Sequence, residues 1–178
     1  PIMEHPNRGK RSIGLALDKP ETRLVLQHAP HHSAQGPDSD RALRLLSRFS
    51  NNKGRGYAVT IEEAIPAHAG LGSGTQMALA IGAAVAQVEG QSLTPYGLAQ
   101  LGERGARSGI GLAAFANGGF LVDGGKGPSD SAPPITLRTQ FPENWRVLMI
   151  LDRNRAGVSG DAETQAFRAL PTFPEAHA

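Results

Sequence analysis

Six consecutive residues, Gly70-Leu71-Gly72-Ser73-Gly74-Thr75, set three glycines and two hydroxyls ahead of a long segment with helical apolar spacing. Glycine permits positive φ and close backbone approach, and the first amides of a helix lack internal partners while facing the positive end of its dipole. The pattern predicts a phosphate cradle, with Ser73 and Thr75 offering hydroxyls to a phosphate oxygen or a bound Mg²⁺. The loop lacks the lysine of G-x-x-x-x-G-K-[ST] and the spacing of G-x-G-x-x-G, so neither common nucleotide fingerprint describes it. On spacing alone, a tight turn with Ser73 capping the helix is the competing reading.

Other groups able to do chemistry are scattered. Asp123 stands in a glycine-rich stretch, Gly118-Gly119-Phe120-Leu121-Val122-Asp123-Gly124-Gly125, although Asp123-Gly124 is also an ordinary hairpin-turn dipeptide. Asp18 is a second carboxylate of interest. Arg104 and Arg107 fall near a helix end, where cations are favourable dipole partners. His28, His31 and His32 lie in a polar, proline-bearing stretch that suits solvent better than a metal. His68 sits inside the glycine loop, and Glu62 and Glu63 are adjacent on a strand, so only one can face a cleft.

The elements that must position these groups follow from periodicity. Ser12–Leu17 and Thr22–Gln27 are short apolar runs joined by Asp18-Lys19-Pro20-Glu21, which suits an antiparallel hairpin. Asp38-Ser39-Asp40 can cap a helix with Leu43, Leu46 and Phe49 on one face. Tyr57–Ile65 reads as a strand with Tyr57, Val59, Ile61 and Ile65 on one side. The helix after the loop, to Glu89, carries one stripe of Met77, Ala80, Ile81, Ala84, Val85 and Val88. Thr94 caps a helix with Pro95 at its first position, running to about Arg104. Gly118–Asp123 and Trp145–Leu151 are strand candidates, and a last helix from near Asp161 carries Ala166, Phe167 and Leu170. The irregular alternation, with strand pairs ahead of helices, favours an α+β fold over a doubly wound parallel sheet.

Pro66-x-x-x-Gly70-Leu71-Gly72-Ser73 resembles the phosphate loop of the galactokinase, homoserine kinase, mevalonate kinase and phosphomevalonate kinase (GHMP kinase) superfamily. Three further stretches resemble the β-ribofuranosylaminobenzene 5′-phosphate synthase family within it: Arg11-Ser12-Ile13-Gly14-Leu15-Ala16-Leu17, the loop continued through Gln76, and Arg107-Ser108-Gly109-Ile110-Gly111 leading into Phe115 and Gly118–Gly125. The likeness runs from about Arg8 to Leu170. It implies a ribosomal protein S5 domain 2-like lobe with a mixed or antiparallel sheet packed by helices. It also implies a synthase that condenses phosphoribosyl pyrophosphate with 4-aminobenzoate or 4-hydroxybenzoate, losing CO₂ and pyrophosphate, at the opening of tetrahydromethanopterin synthesis. Gly74 stands where the kinases of the superfamily usually keep a second serine, which weakens the alternative of an ATP-dependent small-molecule kinase. A binding or dimerisation domain without chemistry is a third alternative.

For such a synthase the resemblance assigns the leaving pyrophosphate to Gly70, Leu71, Gly72, Ser73, Gly74 and Thr75, with Mg²⁺ on Ser73 and Thr75. Arg11, Ser12, Ser108 and Gly109 become candidate substrate-binding residues for the aromatic carboxylate and the ribose 5′-phosphate. Arg107 and Asp123 become candidate catalytic residues, with Asp18 as the alternative carboxylate. Which arginine meets which anion stays open. The superfamily further implies a homodimer and a second α+β lobe. The chain starts at Pro1-Ile2 without Met, so the expectation is one domain over 1–178, cut at its extreme N-terminus, with any C-terminal lobe absent or only begun after about 160 and the fragment weakly active at most.

Composition narrows the field. The 178 residues suffice for one core. The absence of cysteine rules out disulfides and thiolate metal sites and suits a reducing cytoplasm. The net charge of +2 comes from scattered basic residues, which does not indicate a nucleic-acid partner. The longest nearly apolar run, Met77–Val88, falls far short of the roughly 20 residues of a membrane span. Small-molecule substrates are the expected partners.

Overall fold

A computed structural model describes residues 11–49, 55–102, 105, 108–151, 157, 162, 165–166 and 169. Its element order is β1 (Ile13–Leu15), β2 (Arg23–Ala29), β3 (Ser33–Gln35), α1 (Ser39–Phe49), β4 (Gly56–Glu63), α2 (Ser73–Val88), α3 (Pro95–Leu101), α4 (Ile110–Asn117), β5 (Phe120–Asp123) and β6 (Ile135–Thr139). The fold is α+β, as the element pattern predicts, with two three-stranded sheets in the orders β2-β4-β3 and β1-β5-β6.

Strand β4 organises the first sheet. Its alternation puts Tyr57, Val59 and Ile61 into the core. Strand β2 pairs with it antiparallel, with Arg23 opposite Glu63 and Ala29 opposite Gly56, and β3 pairs with it in parallel, making the sheet mixed. The second sheet is antiparallel throughout, with Ile13 opposite Val122 and Leu137 beyond it.

Helix α2 lies between two cores. Met77, Ala78, Ile81 and Val85 join Leu45, Leu46 and Phe49 of α1 and the inner face of β4. Leu79 and Ala86 face away from them, into a cluster with Leu98, Ala99 and Leu112 from α3 and α4. A helix with alanine and aliphatic residues nearly all round is what a two-sided burial requires. The sequence reading of a single stripe is therefore too narrow, and Ala80, assigned to that stripe, instead lines the cleft described below.

Several other expectations are corrected. The β1–β2 hairpin does not form: β1 pairs with β5 and β2 with β4, so residues 16–22 cross from one sheet to the other. In α1 the buried stripe is Ala42, Leu45, Leu46 and Phe49, which leaves Leu43 39% exposed. Thr94 does cap α3, its Oγ1 accepting from the Gly97 amide at 3.2 Å, but the helix ends at Leu101; Arg104 lies outside the described residues. Trp145–Leu151 forms no strand with the described residues, and Leu148 and Ile150 are 85% and 88% exposed. Of the last expected helix, Ala162, Gln165, Ala166 and Ala169 are helical, and Phe167 and Leu170 lie outside the described residues.

The two-sided burial of α2 predicts that Ile81→Ala, at a fully buried position, lowers unfolding stability by about 2–5 kcal/mol. Urea unfolding followed by circular dichroism measures this, with the midpoint falling and the slope unchanged.

Candidate functional site

The glycine loop connects β4 to α2. Gly70 and Gly72 adopt φ of 73° and 70°, a left-handed geometry that side chains resist, and neither would meet a neighbouring atom if a Cβ were added. Their glycine identity is thus set by backbone conformation and not by crowding. Gly72 is the N-cap of α2, and no side chain caps the helix. Its carbonyl accepts from the Thr75 and Gln76 amides, both at 3.0 Å, while the Ser73 and Gly74 amides take no acceptor among the described residues. The Ser73 capping alternative is excluded by this geometry.

Gly70, Leu71, Gly72 and Thr75 line a cleft of about 910 Å³, within the range of ligand pockets. The other walls come from β1 and the chain beyond it, from Ser108 and from α4. Gly14 lets β1 touch α4 closely, since a Cβ there would overlap Ile110 Cγ2. Gln76 reaches across the floor, its Nε2 donating to the Gly111 carbonyl at 2.8 Å.

Behind this floor lies Asp123, which is 0% exposed. Its Oδ1 accepts from the Ser12 amide at 2.9 Å and the Gly125 amide at 3.1 Å. Its Oδ2 accepts from the Ser108 hydroxyl at 2.9 Å and the Gly109 amide at 3.2 Å. The Asp123 amide returns a bond to the Ser12 carbonyl at 2.9 Å. A carboxylate offers about four acceptor sites, and all four are used. Such satisfaction is what makes a buried carboxylate tolerable.

At the cleft's other wall, Glu21 Oε1 accepts from Lys19 Nζ at 2.6 Å and lies 3.4 Å from an Arg23 guanidinium nitrogen. Lys19 also reaches Glu63 at 3.2 Å, and Arg23 pairs with Glu62 at 3.6 Å and with Glu63. The Lys19 hydrogen bond, and then the charges of Lys19 and Arg23, hold the Glu21 carboxyl below its ordinary pKa. The bonds to Glu21 and Glu63 hold Lys19 above its own.

Residues 40–119 match the family model described as the GHMP kinases N terminal domain. Over those residues the α+β fold is that of a GHMP kinase N-terminal domain. This chain is 38% identical to the β-ribofuranosylphenol 5′-phosphate synthase of Methanothermobacter thermautotrophicus, over 91% of this chain and 56% of that protein. It is 31% identical to the synthase of the same name from Methanocaldococcus jannaschii, over 97% of this chain and 57% of that protein. A mevalonate kinase of Thermococcus sibiricus is 41% identical over 71% of this chain and 40% of its own length. The chain thus spans little more than half the length of the synthases it matches.

In this GHMP kinase domain the expected site residues separate into groups. Ser12, Ser108, Gly70, Leu71, Gly72 and Thr75 meet at one cleft. Ser73 and Gly74 are not among the cleft-lining residues; their amides lie beside the cleft in the first turn of α2. Ser108 and Gly109 commit their donors to Asp123, and Ser108 Oγ also accepts from the Ile110 amide at 3.2 Å. Asp123 holds the wall without facing the cleft, and neither Arg11 nor Asp18 lines it. Arg107 lies outside the described residues. His28 and His32 stack on Tyr57 at 5.6 and 5.7 Å, and among the described residues no three His, Asp or Glu gather as a metal site. His68, in the loop at φ 58°, has an exposed side chain. Glu21 and Gln76 escaped the sequence reading: Lys19-Pro20-Glu21 reads as a turn, and Gln76 as one more helical residue.

Asp123→Asn is expected to lower stability by on the order of 3 kcal/mol, because the amide NH₂ would face donors where Oδ1 or Oδ2 now accepts. The measurement is urea unfolding. The Asn variant should fall no less than half as far as Asp123→Ala.

Proposed function

We propose that this domain is the phosphoribosyl pyrophosphate-binding part of a synthase that joins the ribosyl group to 4-hydroxybenzoate or 4-aminobenzoate, releasing CO₂ and pyrophosphate. The observation that carries the reading is the pair of unpartnered amides, Ser73 and Gly74, at the start of α2 beside a glycine loop that lines a ligand-sized cleft. The names of the synthases this chain resembles, with a ribofuranosyl group, a phenol and a 5′-phosphate, support it. In this reading the protein is a cytoplasmic homodimer acting early in tetrahydromethanopterin synthesis.

The chemistry follows from charge. The ring carbon bearing the carboxylate attacks the anomeric carbon as pyrophosphate leaves with the C–O bonding pair. CO₂ then departs and returns its bonding pair to the ring. The Ser73 and Gly74 amides and the α2 dipole meet the negative charge that grows on the leaving group. The loop's own donors are hydroxyls and amides with no carboxylate among them, so a Mg²⁺ here would be held chiefly by the substrate's phosphates, with Ser73 and Thr75 as protein ligands. When bound, that ion neutralises the leaving pyrophosphate. Arg11, which adjoins the cleft residue Ser12 without lining the cleft itself, and Arg107 are the cations we assign to the ribose 5′-phosphate and the aromatic carboxylate, with Ser12 hydrogen-bonding beside them. Asp123 acts indirectly, by holding Ser12 and Ser108 in place.

The mevalonate kinase likeness favours a second reading, an ATP-dependent kinase of the same superfamily, against which Gly74 stands in place of the usual second serine. One experiment separates the two. The full-length protein with Mg²⁺, phosphoribosyl pyrophosphate and carboxyl-labelled 4-hydroxybenzoate or 4-aminobenzoate should release labelled CO₂. No release, with ADP formed from ATP and an alcohol, would replace the synthase by the kinase. Gly72→Ala, forced out of its φ of 70°, should weaken phosphoribosyl pyrophosphate binding about tenfold by calorimetry, a loss of about 1.4 kcal/mol.

A further inference from the structure

Glu21 is the one charged residue among the described residues lining the cleft. It belongs to the chain that crosses between the sheets, a different wall from the glycine loop. Its neighbours on the cleft surface include Leu17, Pro20, Ile65 and Phe115, an apolar set suited to an aromatic ring. The adjacent hydroxyl, Thr22 Oγ1, is buried without a hydrogen-bond partner among the described residues, an arrangement that proteins usually avoid. Glu21 Oε1 is anchored by Lys19 and Arg23, whereas Oε2 takes no partner among the described residues. A carboxylate fixed by one oxygen and open at the other is an acceptor awaiting a donor.

We propose that Glu21 selects and orients the aromatic acceptor by taking a hydrogen bond from its 4-hydroxyl or 4-amino group. This rests on the synthase reading above and names the residue that decides which acid that synthase accepts. Orientation follows from charge. The ring carbon that forms the new bond bears the substrate's carboxylate and must face the anomeric carbon. The para substituent therefore points to the opposite end of the ring. An ionised Glu21 repels the carboxylate and attracts the donor, so the reversed pose is disfavoured and the productive one favoured. The same bond leaves more electron density on the oxygen or nitrogen, and through the ring on the para carbon that attacks. Lys19 and Arg23 are positioning residues: they keep the carboxylate ionised and in place.

The test uses the full-length protein and two acids, one with the para donor and one in which a methyl group replaces its proton. Calorimetry compares 4-hydroxybenzoate with 4-methoxybenzoate, which keeps the oxygen but has no proton to give. The wild-type protein should prefer the hydroxyl compound at least tenfold, and Glu21→Leu should reduce that preference to within twofold. The preference is a ratio measured within one variant, so partial loss of folded protein does not move it. Glu62→Gln, which removes a carboxylate from the same charge cluster but not from the cleft, should keep the wild-type preference. Affinity of Glu21→Leu for phosphoribosyl pyrophosphate should stay within twofold of wild type. An unchanged preference in Glu21→Leu, while the wild-type protein still releases CO₂, overturns this inference alone. A wild-type protein that releases no CO₂ from 4-hydroxybenzoate or from 4-aminobenzoate overturns the synthase reading and this inference together.

Discussion

One buried carboxylate ties the cleft together. Asp123 ends β5, and its four acceptor bonds reach back to Ser12 ahead of β1, forward to Gly125, and across to Ser108 and Gly109 at the start of α4. These segments are separated by as many as 111 positions in sequence. A neutral side chain would satisfy fewer donors, and an apolar one none, so the geometry of two cleft walls hangs on a single group that itself stays out of the cleft. The close packing nearby has the same dependence. A Cβ on Gly109 would overlap the Pro133 carbonyl, so the α4 start, β5 and the chain leading into β6 fit together only around this carboxylate and with glycine beside it.

The second constraint is α2. Because it is buried on two sides, its direction is fixed by both cores, and the amides of its first turn are aimed by packing far from the loop. The loop contributes the left-handed turns at Gly70 and Gly72 that bring the chain onto the helix start without a capping side chain. A capping side chain at position 72 would take the amide of Gly74 or Thr75. The lack of a cap is therefore part of what leaves the Gly74 amide available.

Much of this was legible in the sequence, for local reasons. The glycine loop, the β4 alternation, the Thr94-Pro95 helix start and the α2 helix each announce themselves within a few residues, through propensity and period. What was missed depends on distant partners. Strand β3 is three residues beside a glycine at φ 98°, and only its parallel pairing with β4 makes it a strand. Helix α4 is apolar or alanine at almost every position, so no face stands out. Residues 12–17 and 22–27 look like a hairpin because their connection is short, yet each finds a better partner elsewhere, β1 through the Asp123 bonds and β2 along seven positions of β4. Asp123 drew attention as a carboxylate among glycines. Its burial, and hence its role as a tie, could be seen only in three dimensions. Glu21 gave no signal, since a turn glutamate beside a proline is ordinary until the fold turns it toward a cleft.

The chain beyond Leu151 touches the loop at one described point. The Gly157 amide donates to the His68 carbonyl at 3.0 Å, and a Cβ on Gly157 would overlap that oxygen. Among the described residues, the outer rim of the loop is thus fastened to later sequence by a backbone bond. Any shift of the loop on filling must either carry Gly157 with it or break that bond. The position of the loop at His68 and the path of the chain at residue 157 are therefore tied to each other through one peptide hydrogen bond.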